Sequence, residues 1–285
     1  MSRSKLVVKG EKYDSSDRVR ADRTDLLYSH IPEGETLVSI KDLNVTYRTD
    51  EKTTVAVDDF SFDIKKGELV SIVGPSGCGK STILRCISGL LQPTSGEILI
   101  GGNKCTTAGS DRGMVFQDFA LFPWRSVRKN VEFGLEIAGV PKEERQERSD
   151  RYLKAMGLSE FADSRIHELS GGMKQRVGIA RAMIMHPAVI LMDEPFGALD
   201  AQTRNILQES LVNVLKTSSR TIVFVTHSVD EALFLSDRVL VLSKRPATIH
   251  TVIDVPGERP RDRASPEFTK LRREILSYLE SQNTL

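Results

Sequence analysis

The chain has 285 residues, 39% of them hydrophobic, which suits one large domain or two modest ones with a real core. Its 40 basic and 39 acidic side chains leave a net charge of +1, so charge gives no reason to expect nucleic acid or an anionic membrane as a partner. The three cysteines have no paired spacing, which indicates neither a disulfide framework nor a zinc site. Because the apolar runs are short and the opening residues are polar, we expect a soluble protein of a reducing cytosol.

The first half of the chain begins with a polar stretch and continues into strands. Residues 1–35 lack sustained periodicity and their charges cancel, so we expect a flexible or loosely docked extension. From Thr36 to Asp63, alternating segments predict antiparallel strands. The segment "GELVSIVG" then predicts a buried strand, and "KSTILRCISGLL" predicts a helix directly after a glycine-rich loop.

The second half changes character twice. Residues 124–168 are charged and compatible with helices, which predicts a helical insertion. After residue 169, the strands "AVILMD", "TIVFVTH" and "RVLVLS" alternate with helical segments, and this favours a parallel sheet covered on both faces. Residues 246–285 predict a short strand or hairpin, a basic linker and a last helix.

The glycine-rich loop "GPSGCGKS" fits the phosphate-binding pattern GxxxxGK(S/T) from Gly74 to Ser81. Glycines let the backbone approach a phosphate chain closely, and the helix N-terminus adds its positive dipole end. Lys80 is expected to neutralise the β- and γ-phosphates, and the Ser81 hydroxyl to bind Mg²⁺. The plain alternative is a glycine-rich turn that matches by chance. Cys78 is interpreted as a small residue in a crowded loop, with redox chemistry as the alternative. The residues expected to hold the nucleotide here are Gly74, Pro75, Ser76, Gly77, Cys78, Gly79, Lys80, Ser81 and Thr82.

Three polar residues follow two later strands. Asp193 and Glu194 end "VILMDEPF", where buried carboxylates are costly unless a metal or donor pairs with them. We expect Asp193 to hold hydrated Mg²⁺ and Glu194 to polarise the attacking water. His227 ends "TIVFVTHS" and falls near the phosphates if the strands are parallel, although an ordinary turn or core histidine is the alternative.

The order of these motifs resembles the nucleotide-binding subunit of ABC transporters over about residues 37–245. The pieces that carry the resemblance are "GPSGCGKST", Gln117 in "MVFQDFALFPW", "LSGGMKQR", "VILMDEP", "GALD" and "VTHS". The resemblance implies that Tyr47 stacks on adenine, with an ordinary strand aromatic as the alternative. It also implies that Gln117 senses Mg²⁺ and the attacking water, and that Asp200 touches an opposing subunit. The catalytic set is then Glu194, His227, Gln117 and Lys80, and the metal set Ser81, Gln117 and Asp193.

The fold implied is α/β: a P-loop NTPase core with a mixed or parallel sheet, an N-terminal antiparallel β subdomain and a helical insertion. We expect an extension at 1–35, an ABC ATPase domain at 36–245 with its helical subdomain at about 118–170, and an appendage at 246–285.

A second glycine-bearing loop, "LSGG", has a role in this family that involves another copy of the chain. The resemblance implies a head-to-tail pair around two ATP molecules. In that pair Ser170, Gly171 and Gly172 of one copy cap the γ-phosphate bound at Lys80 of the other. The further partners implied are integral membrane permease subunits and, indirectly, an extracytoplasmic substrate-binding protein, without nucleic acid. The location implied is the cytoplasmic face of the inner membrane, as a peripheral subunit.

The segments "FALFPWRSVRKNVEFGLEI" and "LSGGMKQRVGIARA" look like the nitrate, sulfonate and taurine importers, which implies a small anion or organic acid as cargo. Phe119, Phe122 and Trp124 are candidate contacts for a cytoplasmic helix of the permease, and filling the join between subdomains is the alternative. The competing function is a soluble ABC ATPase clamp or scaffold, such as one for iron–sulfur assembly.

Overall fold

The computed structural model describes residues 7–8, 11–12, 28–216 and 220–283. The chain divides into two compact units, Met1–His30 with Phe119–Ala188 and Ile31–Asp118 with Val189–Leu285. The loose extension expected at 1–35 falls largely outside the described residues. Within it, two short strands pair antiparallel.

The strands are, in chain order, β1 (Val7–Val8), β2 (Glu11–Lys12), β3 (Thr36–Arg48), β4 (Thr53–Lys65), β5 (Leu69–Val73), β6 (Ser95–Ile100), β7 (Asn103–Lys104), β8 (Arg112–Val115), β9 (Val189–Asp193), β10 (Thr221–Val225), β11 (Arg238–Leu242) and β12 (Ile249–Asp254). The helices are α1 (Lys80–Ser88), α2 (Val127–Val131), α3 (Phe133–Ile137), α4 (Lys142–Ala155), α5 (Gly171–Met183), α6 (Ala201–Lys216), α7 (Val229–Leu235) and α8 (Pro266–Asn283). Two 3₁₀ turns lie at Ser159–Phe161 and Ile166–Glu168.

The second unit contains a six-stranded sheet of order β12-β11-β5-β10-β9-β8. All its pairings are parallel except that of β11 with β12. Every residue of β5, β9 and β10 is buried, as expected for central parallel strands that are covered on both faces. The helix α1 packs against β9 and β10, and α7 packs against β5. The predicted mixed α/β sheet is therefore present.

The same unit contains an antiparallel sheet of order β4-β3-β6-β7. Alternation along β3 and β4 buries Leu43, Val45 and Phe60 on one face. At the end of the chain, α8 buries Phe268 and Ile275 and packs against α7.

The first unit is built on the helices α2–α5. It runs to Ala188, beyond the limit of about 170 expected for the helical subdomain, because α5 packs against α2 and α4. The buried Asn130 fixes the loop before α2. Its side-chain oxygen accepts from Phe122 N–H (2.8 Å), and its amide nitrogen donates to the carbonyls of Phe122, Arg125 and Ser126. Trp124 lies in this loop and is 70% exposed, so it does not fill a core.

None of the helices within the described ranges has the length and apolar content needed to cross a bilayer.

Candidate functional site

The residues expected to bind the nucleotide gather at one edge of the six-stranded sheet. Gly74 follows β5, Asp193 ends β9, His227 follows β10, and Gln117 follows β8. Because these four strands are parallel neighbours, their carboxyl ends meet at the same edge. Ligands of open α/β sheets bind at such edges. Gln117 is exposed there, two residues before the chain enters the first unit.

The loop 74–82 is shaped by close backbone approaches. Gly79 has φ 128°, and a Cβ there would lie 2.7 Å from the Ala56 carbonyl oxygen, so only glycine fits. Gly77 also has positive φ, at 71°, but has open space around it. Cys78 is buried, and this burial raises the pKa of its thiol, which agrees with a packing role.

Lys80 is held inside the loop. Its Nζ donates to the carbonyl oxygens of Gly74 and Pro75, and both donor–acceptor distances are 2.9 Å. An ammonium has three donors, so two bonds orient the group and one remains for a phosphate oxygen. Gly79 is the N-cap of helix α1, and no side chain caps this helix. Its N-terminus therefore combines uncapped backbone amides with a fixed positive charge, an arrangement suited to a phosphate chain.

Ser81 and Asp193 form an oxygen pair beside the lysine. Ser81 Oγ donates to Asp193 Oδ1 over 2.8 Å. Burial raises the pKa of Asp193, the Ser81 bond opposes this, and the charge of Glu194 adds to it. Hydroxyl and carboxylate oxygens are ligands that Mg²⁺ prefers. Among the described residues no group of three or more His, Cys, Asp or Glu could hold a metal by itself.

Glu194 and His227 face each other at the same edge. Glu194 Oε2 lies 2.9 Å from His227 Nδ1. Glu194 adopts φ 44°, an uncommon conformation for a residue with a side chain, and its N–H donates to the Val225 carbonyl. The imidazole is 60% exposed and the carboxylate side chain 21%. A carboxylate fixed by an unusual backbone and a neighbouring imidazole can accept a proton from water.

Tyr47 reaches the start of α1 from the other sheet. Its hydroxyl lies 3.3 Å from Thr82 Oγ1, and the residue is 40% exposed. The ring is therefore near the phosphate loop and accessible to a flat ligand.

The remaining predicted site residues lie at the starts of α5 and α6. Ser170, Gly171 and Gly172 belong to the first unit, where Ser170 Oγ accepts from Met173 N–H (3.3 Å) and caps α5. Asp200 caps α6 in the second unit by accepting from Thr203 N–H (3.0 Å), and this bond lowers the pKa of its carboxyl group.

Three residues near His227 are absent from the sequence-based predictions: Thr226, Glu231 and Arg204. Thr226 and Arg204 both contact Glu231. In the sequence, Ser228 and Glu231 form the capping-box pattern S-x-x-E at the start of α7, and this pattern points to Glu231. In the structure Ser228 caps the helix, but the Glu231 carboxylate accepts from the Thr226 hydroxyl.

Comparison with known proteins now identifies the family. The sequence profile of the ABC transporter family matches residues 57–197. An uncharacterized ABC transporter ATP-binding protein of Methanocaldococcus jannaschii is 47% identical over 245 residues, which cover 86% of this chain and 92% of that protein. The chain belongs to the ABC transporter ATP-binding proteins.

Further relatives and a solved structure agree. A nitrate import ATP-binding protein of Synechocystis is 47% identical over 256 residues (87% of this chain, 96% of that protein). A taurine import ATP-binding protein of Roseobacter denitrificans is 43% identical over 250 residues (85% and 93%). The dimeric post-hydrolysis state of an ATP-binding cassette, bound to ADP and Pi, matches with a TM-score of 0.70 at 35% identity, covering 78% of this chain and all of that one.

Membership confirms the family resemblance and the predicted P-loop ABC ATPase fold. It also makes the chain an ATP-binding, ATP-hydrolysing subunit of a transport system.

Proposed function

We propose that the chain energises a membrane importer of a small anion or organic acid, by closing as a head-to-tail dimer around two ATP molecules. The names of the nitrate and taurine import relatives support the cargo class. The observation that carries the hydrolytic role is the Glu194–His227 contact of 2.9 Å beside the Ser81–Asp193 pair.

In the proposed mechanism the backbone of 74–79 and Lys80 hold the β- and γ-phosphates. Ser81 and Asp193 would hold Mg²⁺, with Gln117 nearby, and the ion when bound would supply charge neutralisation on the phosphates. Glu194 orients the attacking water and accepts its proton. His227 donates its one N–H either to the Glu194 carboxylate, which it then fixes, or to the γ-phosphate. Tyr47 stacks on the adenine ring.

The second copy completes each site in this proposal. Ser170 and the Gly172 N–H of one copy cap the γ-phosphate on the other, and Gly171 lets the loop approach closely. Asp200 meets the facing copy. Loss of the γ-phosphate removes these contacts, so hydrolysis opens the dimer. The dimeric cassette structure supports such a pair.

The membrane partner is proposed to dock on Phe119, Phe122 and Trp124. The exposure of Trp124 supports this assignment. The subunit then lies at the cytoplasmic face of the cell membrane, bound to permease subunits and served indirectly by an extracytoplasmic binding protein. We also propose the division into an extension (1–35), the ATPase domain (36–245) and an appendage (246–285).

A soluble clamp or scaffold is the competing function. The relatives named above are transport proteins, which favours the importer. Affinity purification of the tagged chain from detergent-solubilised membranes separates the two. We expect an integral membrane protein to co-purify, whereas a cytosolic complex without one would contradict the importer.

The dimer is tested with Glu194→Gln, which preserves shape but removes the proton acceptor. We expect turnover to fall at least about a hundredfold. Light scattering at saturating ATP should then show a dimer, and a monomer would contradict cross-subunit closure. Ser170→Arg in the Glu194→Gln background should bind ATP as a monomer. Lost ATP binding would instead place this loop in the pocket of its own chain.

A further inference from the structure

The turn that carries His227 is fixed by one buried hydroxyl. Thr226, 1% exposed, donates through Oγ1 to Glu231 Oε2 over 2.6 Å. The same oxygen accepts from the N–H of Ser228 over 3.0 Å. The two neighbours of His227, Thr226 and Ser228, are therefore joined through this hydroxyl. The Glu231 carboxylate in turn fixes the position of the hydroxyl.

Glu231 also connects this turn to α6. The carboxylate side chain is 7% exposed, and its Oε1 lies 3.6 Å from Arg204 Nε. A buried carboxylate is costly unless donors and an opposite charge compensate it. Burial raises the pKa of Glu231, while the Thr226 bond and the charge of Arg204 oppose the increase. These two partners thus stabilise its ionised form.

Arg204 continues the connection to the turn that ends at Asp200. Its guanidinium donates to the Leu199 carbonyl over 2.8 Å, and its backbone N–H donates to the Asp200 carbonyl over 2.9 Å. Within the described residues Arg204 Nε is buried without a hydrogen-bond partner, because 3.6 Å to Glu231 exceeds hydrogen-bond range. The two charges attract each other, but no hydrogen bond fixes their separation.

We propose that Arg204 and Glu231 are positioning residues that transmit a displacement of the Asp200 turn to the His227 imidazole. The proposal rests on the proposed function in one respect, the meeting of Asp200 with a second copy. When that copy arrives, the Asp200 turn carries Arg204 with it. Arg204 moves Glu231 and Thr226, and the His227 turn adjusts its contact with Glu194. Hydrolysis is thereby tied to dimer closure rather than to ATP binding alone.

The test compares Arg204→Met, Glu231→Gln and the double variant by steady-state ATPase kinetics on the full chain. We expect kcat about 10- to 100-fold below wild type, since small misplacements at a reacting centre cost this much. KM for ATP should stay within about twofold, because neither residue is assigned to the nucleotide. The double variant should be no worse than the more impaired single variant, as expected for residues that act as one unit.

A matched control lies one position away on α7. Asp230 forms an exposed pair with Arg272 (2.9 and 3.1 Å), so Asp230→Asn also removes a carboxylate from the first turn of this helix. We expect its kcat to equal that of wild type. Thr226→Val should show the same loss of kcat. Thr226→Ser should keep the wild-type kcat because the hydroxyl is retained.

Circular dichroism melting and an assembly assay decide the outcome. If the Arg204 and Glu231 variants lose thermal stability but keep wild-type kcat, the pair is structural and the proposal is wrong. Glu194→Gln with Glu231→Gln should still dimerise with ATP. If it stays monomeric while Glu194→Gln alone dimerises, Glu231 acts in assembly and the positioning role fails. If Glu194→Gln alone stays monomeric, the proposed dimer fails instead. If Arg204→Met does not fold, the comparison of Thr226→Val with Thr226→Ser decides between a positioning role and a structural role.

Discussion

The two glycine-rich loops both precede a helix, but their helices begin in different ways. At 74–82, no side chain caps α1, and a buried lysine is bound to the carbonyls of its own loop. At 169–176, the Ser170 hydroxyl caps α5, and the first lysine of that helix, Lys174, is its fourth residue rather than its first. The first loop thus has a charge and uncapped amides for a whole phosphate chain. The second has a hydroxyl proton, because an oxygen that accepts from Met173 can still donate.

In the proposed function, this difference suits the first loop to bind nucleotide by itself and the second to add one contact to a nucleotide that is already held. Changes in the first loop should therefore affect ATP affinity, and changes in the second only closure. The predictions below separate these effects.

The largest effect is expected for Lys80→Ala. The change removes the charge facing the phosphates and leaves the Gly74 and Pro75 carbonyls without their donor. ATP affinity should fall roughly a hundredfold, since a hydrogen bond to a charged group contributes about 1.5–3 kcal/mol. The affinity is measured by titration with a fluorescent ATP analogue. Ser170→Ala is the control and should bind as wild type; an equal loss there would remove the distinction between the loops.

A smaller effect should separate two glycines of the first loop. Gly79→Ala places a methyl group 2.7 Å from the Ala56 carbonyl oxygen, in addition to its positive φ. Gly77→Ala has the positive φ alone. Positive φ costs an alanine roughly 1–2 kcal/mol, so we expect about that loss for Gly77→Ala and a greater one for Gly79→Ala. Urea denaturation gives both values. Equal losses would mean that the approach to Ala56 does not constrain the loop.

The smallest effect concerns the adenine contact. Tyr47→Ala should raise the Kd for ATP roughly tenfold, because stacking of an aromatic side chain on a base contributes about 1–3 kcal/mol. Tyr47→Phe keeps the ring, loses only the hydroxyl near Thr82, and should stay within about twofold. If the two variants weaken ATP equally, the hydroxyl rather than the ring is what matters. Competition with GTP shows whether the contact selects the base.

Local patterns predict much of this molecule. The phosphate loop, the apolar strands β5, β9 and β10, and the carboxylates after β9 can all be inferred from short segments, because parallel strands collect their carboxyl ends at one edge. The position of Tyr47 beside Thr82 depends on how two sheets pack, which no local pattern contains.

Two other features also depend on distant contacts. In the sequence, α5 follows the "LS" pair directly and looks like the start of the part after the helical insertion. In the structure it packs with α2 and α4, so the first unit extends to Ala188. Glu231 has a capping-box position, but its carboxylate contacts Thr226 and Arg204. Arg204 lies 27 residues earlier in the chain, a separation that no helical or strand repeat spans.

The four hydrogen bonds of Asn130 have a consequence for recognition. They hold the backbone from Phe122 to Ser126 in one shape while Trp124 projects into solvent. A protein that binds this loop does not have to order it first, so little entropy is lost on contact and more of the interaction energy remains as affinity. One buried amide thus gives the exposed tryptophan a fixed backbone position.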